Sequence, residues 1–383
     1  MQKPVLVVGG GIGGLALAIA LKRARIPVEI WERVPAYKPV GAGIALAING
    51  MAVLRALGAG ARVEARGGVI QRFRITDQHD RVIGAVDLTA TAREHGPSIA
   101  IHRGALHEAL VAAVADIPFR AGLSVQSLEA HAEGVRVEST AGDRGDYAVV
   151  VGADGIRSRV RELAFGAIEP IYAGYTSWRL VLDNHDSLTD STEMWGHGRR
   201  VGLVPIGGGQ IYIFTTMNQP RLVVDAAPDR VARFKQNFGA FSGPFQRLLT
   251  QITDADQLLH NDIEEVWLDR WHRGRVVLLG DAAHAMTPNT GQGAGMALED
   301  AWVLARELAR APTVGHALQT YERIRIPRVR AIHRASRLLG RVAQWEHPAA
   351  CALRNAIFRA IPSRAQLRGM KKLIEDGAAL LRE

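Results

Sequence analysis

The chain has 383 residues, of which 48% are hydrophobic and 22% charged, an ordinary composition for a globular protein of one or two domains. Its single cysteine, Cys351, excludes an internal disulfide framework, and we expect no metal site. The net charge is +9, but the basic residues are mostly scattered, which argues against nucleic-acid binding. Neither a secretory signal nor a membrane-spanning run is visible, so we expect a cytoplasmic protein.

The N-terminal region has the pattern of a β-α-β unit. Residues 3–8 form a short apolar run that is followed by glycines, which is typical of a buried strand. Residues 12–25 are rich in Ala and Leu and predict a helix, and residues 28–31 predict a second strand. Such a unit favours a parallel sheet.

A glycine motif, G-x-G-x-x-G, lies between the first strand and the helix. Gly9 permits a tight turn, Gly11 leaves room for a pyrophosphate, and Gly14 lets the helix approach the sheet. Glu32, at the end of the next strand, is placed to accept ribose hydroxyls. The pattern predicts dinucleotide binding by Gly9, Gly11, Ile12, Gly13, Gly14, Glu32 and Arg33.

The rest of the chain alternates between two characters. Residues 72–88 predict an antiparallel hairpin, and most of 172–267 predicts a β-sheet layer with a helix at 229–238. The β-α character returns at residue 275. The remaining predictions are strands at 99–102, 125–128, 135–139, 147–151 and 275–279, and helices at 104–115, 294–311 and throughout 315–383.

Two later segments complete a family resemblance. Residues 150–161 contain Asp154-Gly155, and residues 274–288 contain Gly280-Asp281. Together with the N-terminal glycines, they resemble the motifs of the single-component FAD-dependent aromatic hydroxylases, which include para-hydroxybenzoate, salicylate and urate hydroxylases. The resemblance implies that Asp154 and Gly155 serve FAD and the nicotinamide cofactor, and that Gly280 and Asp281 hold the ribityl chain.

The glycine-rich segment 288–295 is expected to face the flavin ring. It leads into a helix, whose free N–H groups and positive end suit the ring when it becomes anionic on reduction. Segment 41–44 is similar to the family's mobile loop near the flavin, and Arg103 matches an arginine near it. The further cofactor candidates are therefore Gly43, Arg103, Pro288, Gly291, Gly293 and Ala294.

The resemblance also implies a reaction. NADH or NADPH reduces FAD, oxygen adds at the flavin C4a position, and the hydroperoxide hydroxylates a small aromatic or heteroaromatic substrate. An epoxidase or antibiotic-modifying monooxygenase on the same scaffold remains an alternative, as does a flavin-binding redox protein without turnover. No protein side chain is singled out as catalytic, because the flavin carries the chemistry.

The substrate is expected between the flavin loop and the β-sheet layer, and Pro288 is one candidate contact. Arg179, Arg200 and Tyr212 are the others; segments around the last two resemble the urate hydroxylase branch. We predict that Arg200 and Tyr212 are cross-strand neighbours. For His284 we favour a structural role over proton transfer.

The predicted fold is α/β: a Rossmann-like FAD-binding domain with a parallel sheet, a β-sheet substrate layer and C-terminal helices. We assign 1–70, 97–170 and 270–345 to the FAD domain, 71–96 and 171–269 to the substrate domain, and 346–383 to the helices. For this basic tail we favour helices packed on the FAD domain over a membrane-surface helix. A monomer or homodimer is expected.

Overall fold

The computed structural model describes residues 3–36, 42–223, 229–362, 365, 377 and 379–381. Strands make up two large and two small sheets within these residues. They are β1 (Val5–Val8), β2 (Val28–Glu32), β3 (Gly43–Leu46), β4 (Gly68–Ile70), β5 (Arg72–Asp77), β6 (Val82–Asp87), β7 (Ser98–His102), β8 (Phe119–Ala121), β9 (Val125–His131), β10 (Gly134–Ser139), β11 (Arg144–Tyr147), β12 (Val149–Gly152), β13 (Ile171–Asp183), β14 (Ser191–Trp195), β15 (Arg199–Gly207), β16 (Gln210–Asn218), β17 (Leu259–Glu265), β18 (His272–Arg273) and β19 (Val276–Leu278).

The helices flank the sheets and lengthen toward the C-terminus. They are α1 (Ile12–Arg23), α2 (Ile48–Ala56), α3 (Gly60–Arg66), α4 (Thr89–His95), α5 (Arg103–Ala113), α6 (Arg159–Phe165), α7 (Arg230–Phe238), α8 (Pro244–Leu249), α9 (Asp281–His284), α10 (Gly293–Arg310), α11 (Val314–Ala343) and α12 (Pro348–Ala360). The sequence pattern did not predict α2, α3, α4, α6, α8 and α9, since short helices of mixed composition show little periodicity.

The first large sheet is the predicted parallel one. Its order is β18-β19-β12-β1-β2-β8, and every pairing is parallel except that of the edge strand β18 with β19. The strands at its centre are continuously buried, because helices cover both faces of such a sheet. The carboxyl ends of β1, β12 and β19 therefore lie side by side, and each leads into one of the three sequence motifs.

The second large sheet has seven strands in the order β17-β13-β16-β15-β14-β5-β6. One face packs on α7 and α8 through a core that includes Trp178, Phe234 and Phe245. The opposite face is turned toward the small sheet β3-β7-β4, and Val181, Phe214 and Ala45 of β3 pack against the same apolar cluster. All seven strands fall within 71–96 and 171–269; the division of the chain into domains remains a proposal.

The C-terminal helices differ from the expectation. The predicted helical run is broken after α11, and α12 packs on β6 of the seven-stranded sheet rather than on the parallel-sheet layer. Phe358 of α12 meets Trp195 with ring centroids 4.7 Å apart, and Arg354 is 1% exposed. The prediction for α12 was wrong because its apolar spacing gives no indication of which layer it covers. In the described part of the chain, no helix is both long and apolar enough to cross a membrane.

Candidate functional site

The glycine motif forms the turn between β1 and α1. Gly9 has a φ of +112°, and a Cβ there would clash with the carbonyl of Ala153 beside it. A Cβ on Gly14 would overlap the Gly9 carbonyl oxygen, whereas one on Gly11 would meet nothing within 4 Å. The glycines therefore do different things: two allow close backbone contact, and Gly11 leaves an open approach to the start of α1, where free N–H groups suit a phosphate.

Glu32 joins the end of β2 to this turn. Its Oε2 accepts from the Gly10 amide at 2.7 Å and its Oε1 from the Val34 amide at 2.9 Å. The ring of His107, on α5, bonds to the Gly10 carbonyl at 2.8 Å. These contacts hold the turn beside a carboxylate that keeps lone pairs for ribose hydroxyls. Ile12 and Gly13 begin α1 here, and Arg33 follows Glu32 on the exposed side.

The second motif follows β12, next to the first. The Asp154 carboxylate accepts from Ser158 Oγ at 2.5 Å and from the Arg159 and Val160 amides at 2.7 and 3.1 Å. Burial raises the pKa of Asp154, although these hydrogen bonds oppose it. In this structure the side chain thus orders the start of α6 instead of standing free for a cofactor. Gly155, at φ +80°, has open space where a Cβ would lie.

The third motif follows β19. Gly280, at φ +61°, turns the chain so that Asp281 opens α9 at the edge of the sheet. The Asp281 side chain is exposed and makes no hydrogen bond with the described residues, so its carboxylate remains available to ribityl hydroxyls. Arg161, which is 3% exposed, donates to the carbonyls of Ala282 at 3.0 Å and Ile156 at 2.6 Å, and so ties the second motif to the third.

The loop from Pro288 to Gly293, which we call the flavin loop, connects the third motif to α10. A short 3-10 turn over residues 288–290 ends at Gly291, whose φ is +63°. Gly293 and Ala294 then begin α10, and no side chain caps its first N–H groups. Pro288 and Gly291 are exposed and line the same approach. Their open positions leave space for a flat ring to lie against the loop. The N-terminal end of α10 favours negative charge on such a ring.

Tyr212 marks one end of the face that the seven-stranded sheet turns toward this loop. A Cβ on Gly43 would overlap the Tyr212 ring, so the glycine of β3 allows the two layers to touch. The hydroxyl of Tyr212 has no hydrogen-bond partner among the described residues. Burial raises its pKa to about 12, against the charges of Arg179 and Arg103. The structure therefore brings Gly43, Arg103, Arg179 and Tyr212 together; Gly41 of the same loop lies outside the described residues.

Arg200 is not part of that group. It pairs across the strands with Thr216, while Tyr212 pairs with Val204, so the predicted neighbour relationship is wrong. The reason is the register set by the turn at Gly207–Gly209, which pairs residues that lie equally far from it. Arg200 is 2% exposed and lies toward the flavin loop instead.

A polar network surrounds Arg200. Its Nη1 donates to Glu193 at 2.9 Å, its Nη2 to Asn289 at 2.7 Å, and its Nε to Gln344 at 2.8 Å. Asn289 belongs to the flavin loop and also bonds to the Tyr175 hydroxyl at 3.0 Å. All three guanidinium nitrogens donate to protein acceptors, so Arg200 joins sheet, loop and α11 here. Neither Asn289 nor Gln344 could be predicted from the sequence, since single amide side chains belong to no recognisable motif.

A buried ionic cluster behind the motifs was also missed. His284 Nε2 lies 2.6 Å from Asp300 Oδ2, whose other oxygen accepts from Arg325 at 2.7 Å; Arg325 also bonds to Glu299 at 2.6 Å. Asp300 further accepts from the Gly280 amide at 3.1 Å. His284 thus supports the motif from behind, in agreement with the structural role favoured for it. One signal was present: Asp300 sits in the apolar stripe of α10.

The chain has relatives along nearly its whole length. The family model of the FAD binding domain matches residues 2–336. The aurachin C monooxygenase/isomerase of Stigmatella aurantiaca is 39% identical over 363 residues, 94% of each chain. The 2-heptyl-3-hydroxy-4(1H)-quinolone synthase of Pseudomonas aeruginosa is 35% identical over 375 residues, which are 96% of this chain and 97% of that protein.

A solved structure has the same fold. Klebsiella pneumoniae HpxO, crystallised with FAD and uric acid, is 28% identical and has a TM-score of 0.92, with 98% of this chain and 97% of that chain covered. The three motifs, their common position at the sheet edge, and these relatives agree. The chain therefore belongs to the single-component FAD-dependent aromatic hydroxylases, flavoprotein monooxygenases that take their electrons from NAD(P)H.

Proposed function

We propose that the substrate is an apolar heteroaromatic compound with one hydrogen-bond acceptor, such as a 4-quinolone that bears an alkyl chain. The observation that carries this proposal is the makeup of the sheet face near β3. Val181, Phe214 and Tyr212 are partly exposed there, and the two unpartnered polar groups beside them are donors, the Tyr212 hydroxyl and the buried Arg179 Nε.

This chemistry favours some substrates over others. An aromatic ring with an alkyl chain gains from apolar contacts, and a ring carbonyl accepts a hydrogen bond from the Tyr212 hydroxyl. A polar, anionic substrate such as urate needs more polar partners, and Arg200 is engaged with Glu193 and Asn289. Two relatives whose names include aurachin and 2-heptyl quinolone support the same class.

The protein groups have separate roles in this proposal. Bound FAD supplies the redox chemistry, since it takes electrons from NAD(P)H and passes them to oxygen. The Gly11 turn and Glu32 hold the dinucleotide end, and Asp281 holds the ribityl chain. The start of α10 stabilises negative charge at the ring by its free N–H groups. Arg103, Pro288 and Gly43 border the space in which ring and substrate meet.

The test is substrate-stimulated oxidation of NADH or NADPH with product analysis. A panel of 2-alkyl-4-quinolones, hydroxybenzoates and urate is offered to the FAD-loaded protein. We expect stimulation and a product heavier by one oxygen atom with the quinolones alone. Stimulation by urate or a hydroxybenzoate instead would refute the substrate class, and no stimulation by any aromatic compound would favour the redox-protein alternative.

A further inference from the structure

The outward face of α12 consists of apolar side chains, with one exposed arginine, Arg359, at its border. α12 packs its other side, including Cys351, Arg354 and Phe358, against the seven-stranded sheet. Pro348 and Arg359 are exposed at the border of this face. The other exposed residues of α12 are apolar and follow the spacing of one helix face: Ala349, Ala352, Leu353, Ala356, Ile357 and Ala360.

Two of these side chains are unusually open for their size. Leu353 is 59% exposed and Ile357, one helical turn later, is 50% exposed. Trp345, in the turn that leads into α12, is 37% exposed. Leaving large apolar groups in water is unfavourable, so a contiguous exposed stripe of this kind indicates a contact surface.

Positive charge borders the apolar face at the C-terminal end of α12. Arg359 reaches Asp77 at 3.6 Å, and Arg81 reaches the same carboxylate at 2.7 Å. Two arginines thus share one acid, and their side chains are 46% and 71% exposed. Together with the chain's net charge of +9, these exposed arginines attract an anionic partner.

A second copy of the chain fits this face poorly. α12 has 13 residues, and a helix of that length and ordinary width offers an outward face of only about 200 Å². A stable protein–protein interface usually buries about 800 Å² on each partner. A shallow apolar helix face flanked by arginines instead has the form of a helix that lies in the boundary of a lipid bilayer.

We propose that the outward face of α12 docks the protein on an anionic lipid surface. Leu353, Ile357 and the alanines enter the acyl boundary, and Arg359 and Arg81 meet lipid phosphates. A helix in this orientation rests on the bilayer and does not cross it. Docking would bring the site close to the place where an alkyl-chain substrate dissolves; that advantage rests on the proposed function, whereas the docking does not.

The experiment is vesicle co-sedimentation of the full-length, FAD-loaded protein. Vesicles of equal parts phosphatidylglycerol and phosphatidylcholine are compared with phosphatidylcholine alone, at low and high salt. We expect binding to the anionic vesicles, weakened by salt. The double variant Leu353→Asp/Ile357→Asp should bind about tenfold more weakly or worse. Leu353→Ser/Ile357→Ser, which adds no charge, should weaken binding in the same direction.

A matched control changes charge equally at another surface. Val111→Asp/Ile171→Asp replaces residues that are 39% and 52% exposed, away from α12, and should bind as the unaltered protein does. Failure of the unaltered protein to bind anionic vesicles overturns the proposal, as does equal binding by the α12 and control variants. A dimer in light scattering that the α12 variants dissociate assigns the face to a second copy. Activity on a short-chain, water-soluble quinolone should be equal in all variants, which separates this test from that of the substrate class.

Discussion

Arg200 Nη2 donates to Asn289 Oδ1 at 2.7 Å, and this contact joins the seven-stranded sheet to the loop that we assign to the flavin ring. The same guanidinium neutralises Glu193, and it lies 5.6 Å from the centre of the Tyr175 ring. A change at Arg200 is therefore felt in the loop geometry as well as in the sheet.

We expect Arg200→Ala to destabilise the protein by about 3–5 kcal/mol, because it leaves a buried Glu193 without its cation. Urea unfolding measures this. The neighbouring variant Arg199→Ala, which removes a bond to the Asn237 carbonyl, should cost only about 1 kcal/mol. A substrate-binding loss with unchanged stability would show that Arg200 is a direct contact instead.

Asp281 is expected to contribute to FAD affinity and little to folding. Its carboxylate is exposed and has no partner among the described residues, so we expect a bound ribityl chain to supply its hydrogen bonds. Asp281→Ala should weaken FAD binding about tenfold or more. Flavin absorbance after dialysis measures retention. Asp269→Ala, a change at a carboxylate with 83% exposure, should retain FAD normally; equal retention by both variants would contradict the assignment.

Substituting alanine for two glycines of the first motif should affect two different properties of the protein, its stability and its affinity for FAD. Gly14→Ala places a methyl group against the Gly9 carbonyl and should lower the melting temperature of the FAD-free protein. Gly11→Ala has open space and should leave that temperature unchanged, but it should weaken FAD binding because the pyrophosphate approaches there. Unchanged FAD affinity in Gly11→Ala would place the pyrophosphate elsewhere.

The Tyr212 hydroxyl offers a test of the substrate face. Because its pKa is raised to about 12 by burial, it is a neutral donor at every working pH. Tyr212→Phe should raise KM for the substrate several-fold, by about the net worth of one neutral hydrogen bond, with FAD content unchanged. Steady-state kinetics with the active quinolone measures it. Tyr172→Phe, which loses a bond to the Gln219 carbonyl at a distance from β3, is the control.

The buried cluster predicts a stability profile with pH. Burial raises the pKa of Asp300 and Glu299, but electrostatic attraction to neighbouring groups outweighs it and holds both pKa values below their usual range. The largest such contribution comes from His284 for Asp300 and from Arg325 for Glu299. A carboxylate with a lowered pKa in the folded state stabilises it above the unfolded pKa, about 4, and this contribution is lost as pH falls through the folded value. Unfolding free energy should therefore drop below about pH 4.

The cation of this cluster can be removed directly. Arg325 is fully buried, and Arg325→Met should cost about 3–5 kcal/mol at neutral pH because Glu299 and Asp300 lose the buried cation that they share. Arg330→Met removes an exposed pair with Asp269 and should cost less than about 1 kcal/mol. Equal effects in urea unfolding would mean that the cluster contributes nothing specific.

The centre of the parallel sheet and the three motifs were predictable because β1, β12 and β19 are apolar runs that lead into the glycine and aspartate motifs. The edge strands β8 and β18 were not predicted, since they are short and not apolar throughout. The seven-stranded sheet was predictable from the alternation of apolar and polar residues in several of its strands, although β14 and β17 were not predicted individually. The side-chain network was not. Whether Arg200 meets a ligand or Asn289 depends on register and on a helix end 144 residues away, at Gln344, which no local pattern encodes. For the tail, Arg364, Leu367, Arg368, Met370, Lys371 and Lys372 lie outside the described residues.

The 30 residues of α11 connect two parts of the molecule that the chain order separates. Near its start, Tyr321 and Arg325 are fully buried behind the parallel sheet; at its end, Gln344 bonds to Arg200 and Asn218 of the other sheet. Neither sheet can open without disturbing this helix. Heat should therefore unfold both layers in a single cooperative transition. A nucleotide bound at the parallel-sheet layer should then stabilise the other layer as well, because it raises the one melting temperature that they share.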